Sequence, residues 1–451
     1  MPRIALHEVL EAKEARAFRR SRLQAEYPGT CVSLSLNIPG PEKSSPQSTA
    51  LFRHALDRLG QTLHVAAARA VDEKTGPHAV MIVSEDAIFA KDAACRLEAE
   101  KDYGRLLDID VYDASGTAVA LPERGAGRAC FICPDRAVAC MRERRHSLPE
   151  ILSAVERLFT SFHADMSRRV SEPAAHYASL GLEAMLYEAA ASPSPGLVDP
   201  FHAGSHKDMD FFTFLRSSAA LSFGLARCAE AGIRHGGEPK SLLPVLRIIG
   251  GEAEKSMFRA TGGVNTQKGL VFSMGLTLGA AGLLLRDEKP VTPELLGAAL
   301  RAIAGGIVDR EMRENVPATA GERMYRKFGV SGIRGEVEAG LPSVLGTGLP
   351  ALERALGRGE ECNRALIRAL VALMAEVEDT TILARSPRPS SLRMVQEKAR
   401  AIQRSGVLDR ETWREAMWEL DEELVGHNLS PGGSADLLAL TWFMHRVKDP
   451  F

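Results

Sequence analysis

The sequence predicts an α/β domain over residues 1–170 followed by a larger all-α domain over residues 171–451. Three observations carry this division. Up to about Asp113, stretches with the two-residue period of strands alternate with stretches of helical period. From about Ser171 the strand signals almost vanish, and long helical stretches are parted by Gly- and Pro-rich turns. The segment between them, Ser147–Ser171, reads as a helical connector. At roughly 150 residues per domain, a chain of 451 residues also accommodates two unequal domains.

In chain order, Thr30–Ile38 alternates, with Val32, Leu34 and Leu36 on one face. Gln47–Leu59 follows with a helical pattern, then the short apolar run Ala79–Val83, the helical Ala87–Asp102 and the alternating Arg105–Tyr112. In the second part the helical stretches are Ala174–Ala191, Asp208–Ala231, Gly269–Leu285, Pro293–Ile307, Asn363–Val377 and Ser434–Val447. Turns fall at Ser192–Gly196, Gly236–Pro239 and Pro387–Ser390, and no internal repeat is visible.

Composition excludes several classes. With 45% hydrophobic and 25% charged residues, the chain is not a disordered, collagen-like or disulfide-scaffold sequence. Lys+Arg is 56 against 58 Asp+Glu, a formal net charge of -2, so no basic field points to nucleic acid. The charged N-terminus lacks the apolar core of a signal peptide. The run Leu270–Leu285 falls short of the ~18 residues of a membrane span and is rich in Gly, so a buried helix and no membrane partner are expected. Seven cysteines, an odd number, suit reduced thiols in a cytoplasm.

The sharpest motif of the first part is Arg105-Leu-Leu-Asp108-Ile-Asp110-Val-Tyr-Asp113. On a strand, Leu107, Ile109 and Val111 face the core, while Asp108 and Asp110 share the other face about 7 Å apart. Two carboxylates so placed suit one or two Mg²⁺ ions on a polyphosphate; a solvated strand face is the other reading. Leu36-Asn-Ile-Pro-Gly-Pro-Glu-Lys43 runs a strand into a loop whose N–H groups and Lys43 suit a phosphate, or simply make a turn. Cys130, Cys133, Cys140 and His146 include the C-x2-C of a zinc site, against small cysteines buried on a helix. Arg128, Arg142, Arg144 and Arg145 around them suit phosphate or an acidic protein partner.

In the second part, Glu183, Glu188, Pro195, Gly196, Asp199, His206, Asp208, Met209 and Asp210 crowd around a Gly/Pro loop. They suit a metal or acid/base site, although Asp208 also sits where a helix start favours an acid. Thr261-Gly-Gly-Val-Asn265-Thr-Gln267-Lys268-Gly269 feeds the most apolar helix, an anion-site arrangement that is not a Walker A loop. Glu376-Val-Glu378-Asp379-Thr-Thr ends an apolar helix, where acids oppose the dipole and so suggest a task. Asn428-Leu-Ser-Pro-Gly-Gly-Ser434-Ala-Asp436 opens the last helix, with Ser434 as a cap or beside a ligand.

These motifs carry a resemblance. LNIPGP (Leu36–Pro41), GRLLDIDV (Gly104–Val111), RACFIC (Arg128–Cys133) and the A-x-x-C-x-R-x-R-x-H pattern ending at His146 resemble the citrate lyase holo-acyl-carrier-protein synthases, the apo-citrate lyase phosphoribosyl-dephospho-CoA transferases. PGLVD (Pro195–Asp199), HKDMDFFTF (His206–Phe214), GGVNTQKG (Gly262–Gly269), GERMYRKFGVSGIRGEVEAG (Gly321–Gly340), VEDTTIL (Val377–Leu383) and NLSPGGSADLLALTWF (Asn428–Phe443) resemble the triphosphoribosyl-dephospho-CoA synthases. Nearly the whole chain is covered, in the order of a known fusion of the two enzymes. Ser194 stands where that family has Lys, Gln267 where it has His, and Ser205 where it has Ala.

The resemblance implies a nucleotidyltransferase-like α/β fold for the first domain. For the second it implies that ATP joins 3′-dephospho-CoA with Mg²⁺. The 2′-hydroxyl of dephospho-CoA attacks C1′ of the ATP ribose and adenine leaves, through an oxocarbenium-like state. Asp208, Asp210, Glu378 and Asp379 are then expected to do metal or acid/base work, Asp208 and Asp210 as metal ligands. Lys268 and Arg385 are expected to hold phosphate, with His206, Asn265, Asn428 and Ser434 at the substrate. The first domain would pass the phosphoribosyl-dephospho-CoA group to a serine of the apo acyl carrier subunit, releasing pyrophosphate. There Asp108 and Asp110 would bind metal, Lys43 and Arg128 the pyrophosphate, and Arg142 and its neighbours an acidic carrier. Fusion would raise the effective concentration of the intermediate if the two sites face one another. The rivals are the same chemistry serving malonate decarboxylase, an ADP-ribosyl-type hydrolase, and a zinc-stabilised carrier-binding scaffold without catalysis.

Overall fold

The computed structural model describes residues 6–121, 129–313 and 319–448. The chain divides into two compact units, Met1–Asp165 and Met166–Phe451.

The first unit opens with helix α1 (Leu6–Glu26) and continues β1 (Thr30–Leu36), α2 (Pro46–Thr62), β2 (Val65–Val71), β3 (His78–Val83), α3 (Ala87–Glu100) and β4 (Leu107–Tyr112). Local chemistry sets the helix starts. Ser45 caps α2 through a capping box with Ser48, with Pro46 at the first helical position. Asp86 caps α3 by accepting from the N–H groups of Ile88 and Phe89. The strands form one sheet in the order β2-β3-β1-β4, and every neighbouring pair is antiparallel.

That finding corrects the expected α/β layer. β1-α2-β2 and β3-α3-β4 are two strand–helix–strand units, each split by a strand of the other, as in ferredoxin-like folds. Neighbouring strands therefore come from different units and run in opposite directions. The unread strand is β2, an exposed edge strand, VAAARAV, whose small residues carry little strand propensity. One sheet face carries Val32, Leu34, Met81, Ile109 and Val111, all nearly inaccessible, together with the buried Leu51, Phe52, Ala55, Ala90 and Ala94 of α2 and α3. On the other face α1 adds Leu23 to a cluster of Cys31, Val80 and Ile82. The open edge of β4 is covered by α3: Glu98 accepts from the Ile109 N–H at 3.1 Å, and Lys91 donates to the Ile109 carbonyl at 3.0 Å. After β4 come α4 (Ala137–Glu143) and α5 (Leu148–Met166), whose Phe162 packs edge-on against Tyr103.

The second unit is helical throughout its described residues. Its helices are α6 (Glu172–Ala190), α7 (Phe211–Ile233), α8 (Leu242–Ala260), α9 (Lys268–Arg286), α10 (Pro293–Ala304), α11 (Ala320–Phe328) and α12 (Gly332–Glu338). They continue with α13 (Leu349–Gly357), α14 (Cys362–Glu376), α15 (Thr380–Arg385), α16 (Pro389–Ser405), α17 (Trp413–Gly426) and α18 (Gly432–Arg446). α9 is long and apolar enough to span a membrane by length and composition, but 78% of that window is buried inside the protein. Its Gly content has a packing cause. α7 and α9 cross so closely that a Cβ on Gly282 would lie 2.1 Å from the Ala229 carbonyl, and one on Gly232 2.2 Å from that of Gly279.

Candidate functional site

The second unit holds a cleft of about 750 Å³. Its walls come from the end of α6, the loop before α7, α8, the start of α9, α12, the α14–α15 junction and the start of α18. Among its lining residues are Glu188, His206, Asn265, Lys268, Glu378, Asp379, Arg385 and Asp436.

Asp379 is 2% exposed and ties two helix starts together. It is the N-cap of α15, where Oδ1 accepts from the N–H and hydroxyl of Thr381 at 2.9 and 2.5 Å. The same carboxylate caps α18 from outside, accepting from Gly433 N at 3.2 Å, Ser434 N at 2.8 Å and the Ser434 hydroxyl at 3.1 Å. The approach requires glycine at 433, since a Cβ there would sit 2.9 Å from Oδ1. Ser434 is thus fully buried as a partner of Asp379 rather than a cleft-lining group.

Two acids outside the expected set complete this wall. Burial raises the Glu188 carboxyl to about 8. Burial, followed by the charges of Glu188 and Asp379, raises Asp436 well above the carboxylate range. Glu188 therefore keeps its proton at neutral pH. The signals were in the sequence: Glu188 stands in the acid-rich cluster and Asp436 in the last motif, but only packing brings α6 and α18 together.

The Glu188 shift has a stability consequence. The unfolded carboxyl ionises near 4.5 and the folded one near 8, so the folded state keeps the proton between those values. Stability from this group is full below about pH 4.5, falls as pH rises, and levels off above about 8. Glu188→Gln, a neutral isostere, is expected to flatten the decline in Tm over that window. Melting curves across the pH range check it, and an unchanged slope would count against the assignment.

Beside this wall, where the Thr381 hydroxyl donates to the Ser430 carbonyl at 2.9 Å, three expected residues gather. Arg385 donates to the Ser205 carbonyl at 2.8 Å and to Asn428 Oδ1 at 3.0 Å, and lies 3.0 Å from His206 Nδ1. His206 Nε2 lies 3.2 Å from the Ser430 hydroxyl. Burial, then the Arg385 charge, lowers His206 to about 4, so its ring is neutral. At the start of α9, the Lys268 ammonium pairs with Glu254 at 2.9 Å, and Asn265 Oδ1 accepts from the Lys268 N–H at 3.3 Å. Arg247 and Arg334, not singled out from sequence, also line the cleft. Arg334 is held by Glu311 at 3.1 Å and Glu322 at 3.0 Å, and Arg247 pairs with Glu311.

The structure places Asp208 and Asp210 elsewhere. Neither is among the lining residues. Asp210 caps α7, its Oδ1 accepting from the Thr213 N–H at 2.7 Å and hydroxyl at 2.6 Å; those bonds hold its carboxyl below the usual range. Asp208 is exposed, 3.9 Å from His206. Of the departures noted in the sequence, buried Ser194 donates to the Ala191 carbonyl at 2.6 Å. Gln267 lines the cleft and accepts from Ser217 and Ser218 at 3.0 and 3.3 Å.

In the first unit, β4 alternates as its sequence requires. Leu107, Ile109 and Val111 are buried, Asp108 is half-buried and Asp110 exposed. Register sets Asp108 opposite Ser35 and Asp110 opposite Ser33, and the Ser35 hydroxyl donates to Asp108 at 3.1 Å. This is the α1 side of the sheet, where burial, then Arg16 and Arg19, lowers His78 to about 4. Lys43 turns its ammonium back onto the Ile38 carbonyl and closes its own loop. Arg142 is exposed on α4, and Arg128 lies outside the described residues.

Acids, cations and a helix start gathered around one cleft are the furniture of a polyphosphate-handling group-transfer enzyme, here fused to a second unit with its own carboxylate pair. Comparison with known proteins narrows that class. The family model for CitG, ATP:dephospho-CoA triphosphoribosyl transferase, matches residues 174–451, and that for CitX, apo-citrate lyase phosphoribosyl-dephospho-CoA transferase, matches residues 4–162. Protein CitXG of Leuconostoc mesenteroides subsp. cremoris is 31% identical over 460 aligned positions, spanning 99% of this chain and 97% of the relative. The chain belongs to the fused CitX–CitG family of bifunctional transferases. It makes 2′-(5″-triphosphoribosyl)-3′-dephospho-CoA from ATP and dephospho-CoA, releasing adenine, and transfers phosphoribosyl-dephospho-CoA to the apo-citrate lyase carrier subunit.

Proposed function

We propose that the helical cleft is where ATP and dephospho-CoA react, and that the α1-side face of β4 carries out the second, nucleotidyl-type transfer. The observation that carries the first assignment is the meeting of Glu188, Asp379 and Asp436 with the start of α9 in one cleft, Asp436 lying against Gly269. The triphosphate lies against the α9 N–H groups and Lys268, with Arg247 and Arg334 along the same cleft. Arg385 and neutral His206, fixed by Asn428 and Ser430, orient the second substrate, and Asp208 stands beside them.

Asp436, its carboxyl raised by burial, delivers a proton to the departing adenine. Asp379 has both oxygens engaged by backbone and hydroxyl donors, so it positions α15 and α18 around the reaction. Glu378, exposed on the same wall, is free to accept the 2′-hydroxyl proton. The donor set fits Mg²⁺, because it consists of hard oxygen acids, two of them raised by burial with no cation to offset their charge. Glu188, losing its proton as the ion binds, is the residue that would hold it together with substrate oxygens. When bound, Mg²⁺ neutralises triphosphate charge.

In the first unit Asp108 and Asp110 supply the corresponding oxygens, and a carrier serine attacks the α-phosphorus as pyrophosphate leaves. Arg142 and its neighbours draw in an acidic carrier. The domain limits 1–170 and 171–451 and a cytoplasmic location complete the proposal.

The test is free adenine after incubation with Mg²⁺, ATP and dephospho-CoA, against ATP alone and against CoA. Asp436→Asn keeps shape but not acidity, and is expected to cut adenine release by about 10²–10⁴-fold. Adenine released at the wild-type rate by that variant would remove Asp436 from the proton path. Release without dephospho-CoA would favour a hydrolase.

A further inference from the structure

Cys130, Cys133, Cys140 and His146 converge in space, and neither transfer reaction uses them. Each offers one ligand atom, and these atoms all lie within 4.8 Å of one another. The Cys133 and Cys140 sulfurs are 3.3 Å apart. That is far beyond the ~2.05 Å of a disulfide, and near the separation of about 3.5–4 Å between ligands around one tetrahedral zinc. His146 Nε2 is buried with no hydrogen-bond partner, a costly state for an imidazole nitrogen unless something else takes its lone pair.

The backbone is arranged for this meeting. A bridge between Ala129 and Arg136, with Cys130 N–H donating to the Asp135 carbonyl at 2.8 Å, closes a tight turn. The Ile132 N–H points at the Cys130 sulfur at 3.5 Å. Cys140 projects from α4, and the helix ends at Arg144 in the left-handed region, φ 49°, which returns the chain so that His146 reaches the three thiols. A non-glycine residue held there costs on the order of 1–3 kcal/mol and persists only where its surroundings impose it.

From 129 to 147, Cys130 and Cys140 are the only buried residues. A segment that buries no large apolar side chain cannot hold this shape by hydrophobic burial, and small folds of this kind are fixed by disulfides or metals. We propose that these four residues form a closed Cys3His site for Zn²⁺, three thiols losing their protons as they bind. The site is structural, with no open position. It pins the segment to the sheet unit, where Arg105 donates to the Cys130 carbonyl at 3.0 Å just before β4. The exposed Arg142, Arg144 and Arg145 are then presented on a fixed frame.

The test is metal analysis of the full chain, purified under reducing conditions from zinc-supplemented cells. About one zinc per chain is expected. Cys133→Ser, Cys140→Ser and His146→Ala should each fall to background, while Cys362→Ser should keep its zinc. Cobalt(II) loaded into the wild-type chain should give thiolate-to-metal charge-transfer absorption and tetrahedral ligand-field bands, a readout that needs no variant to fold and no activity. Wild-type protein that takes up no zinc after loading would overturn the proposal. So would zinc retained by the Cys133→Ser/Cys140→Ser double variant, or a Cys133–Cys140 disulfide in peptides from reduced cells.

Discussion

Asp379→Ala is expected to lower the Tm of the helical unit by roughly 10 °C and to abolish adenine release. The carboxylate accepts five hydrogen bonds, from the N–H groups of Thr381, Gly433 and Ser434 and from two hydroxyls, in a site 2% exposed. Removing it strips the caps from α15 and α18 together. Each cap lost costs about 0.5–2 kcal/mol, and each buried donor left unpaired about 1–3 kcal/mol. Because the donors share one acceptor the losses are not additive, and a net of about 3–5 kcal/mol is reasonable, close to that of breaking a buried charge pair. For a unit of this size each kcal/mol shifts Tm by roughly 2–4 °C. Asp379→Asn is the finer probe. Its amide keeps one acceptor but turns N–H toward the Ser434 N–H, so stability should fall by less while α18 and Asp436 still shift. Calorimetry with the adenine assay checks both, and an Asp379→Ala protein that melts with wild type would remove Asp379 from this role.

The same carboxylate shows what a sequence discloses. Acids at the end of an apolar helix signalled that Glu378 and Asp379 have a task, because that position is electrostatically unfavourable within α14 alone. The signal did not reveal that Asp379 belongs to the starts of two other helices, since α18 lies far along the chain. Asp208 and Asp210 illustrate the converse. Two acids beside histidines look like a metal pair, but a carboxylate just before a helix serves its cap first, and Asp210 does. In the sheet unit, β1 and β4 were legible because burial of one face writes a two-residue period into them. β2 was not, because an exposed edge strand of alanines buries too little to leave a pattern, and without it the split-unit topology reads as a simple α/β alternation. Cys130 and His146 were legible as a candidate set, whereas their convergence depends on the reversal at Arg144 that no local pattern announces.

Separating the two activities gives the sharpest test of the sheet unit. Asp108→Asn and Asp110→Asn are each expected to cut mass gain on the apo-carrier by about 10³-fold or more, as the loss of a metal-binding oxygen does in phosphoryl and nucleotidyl transfer. Adenine release, carried by the other unit, should stay within about twofold, well under the effect of one buried contact. The result is interpretable because neither change should unfold the protein. Asp110 is exposed, and surface substitutions of this kind stay within about 0.5 kcal/mol. Asp108 is half-buried and accepts from the Ser35 hydroxyl, and an amide there keeps the side chain's shape and an acceptor oxygen. Ser35→Ala removes that donor without touching either carboxylate; it should reduce transfer far less than Asp108→Asn, since the oxygen remains and only its orientation loosens. The measurement is the carrier's intact mass over time, with the triphosphoribosyl intermediate supplied directly so that the helical unit is not limiting. Transfer at the wild-type rate by the Asp108→Asn/Asp110→Asn double variant would show that the strand pair is a solvated face and that the second reaction uses other groups.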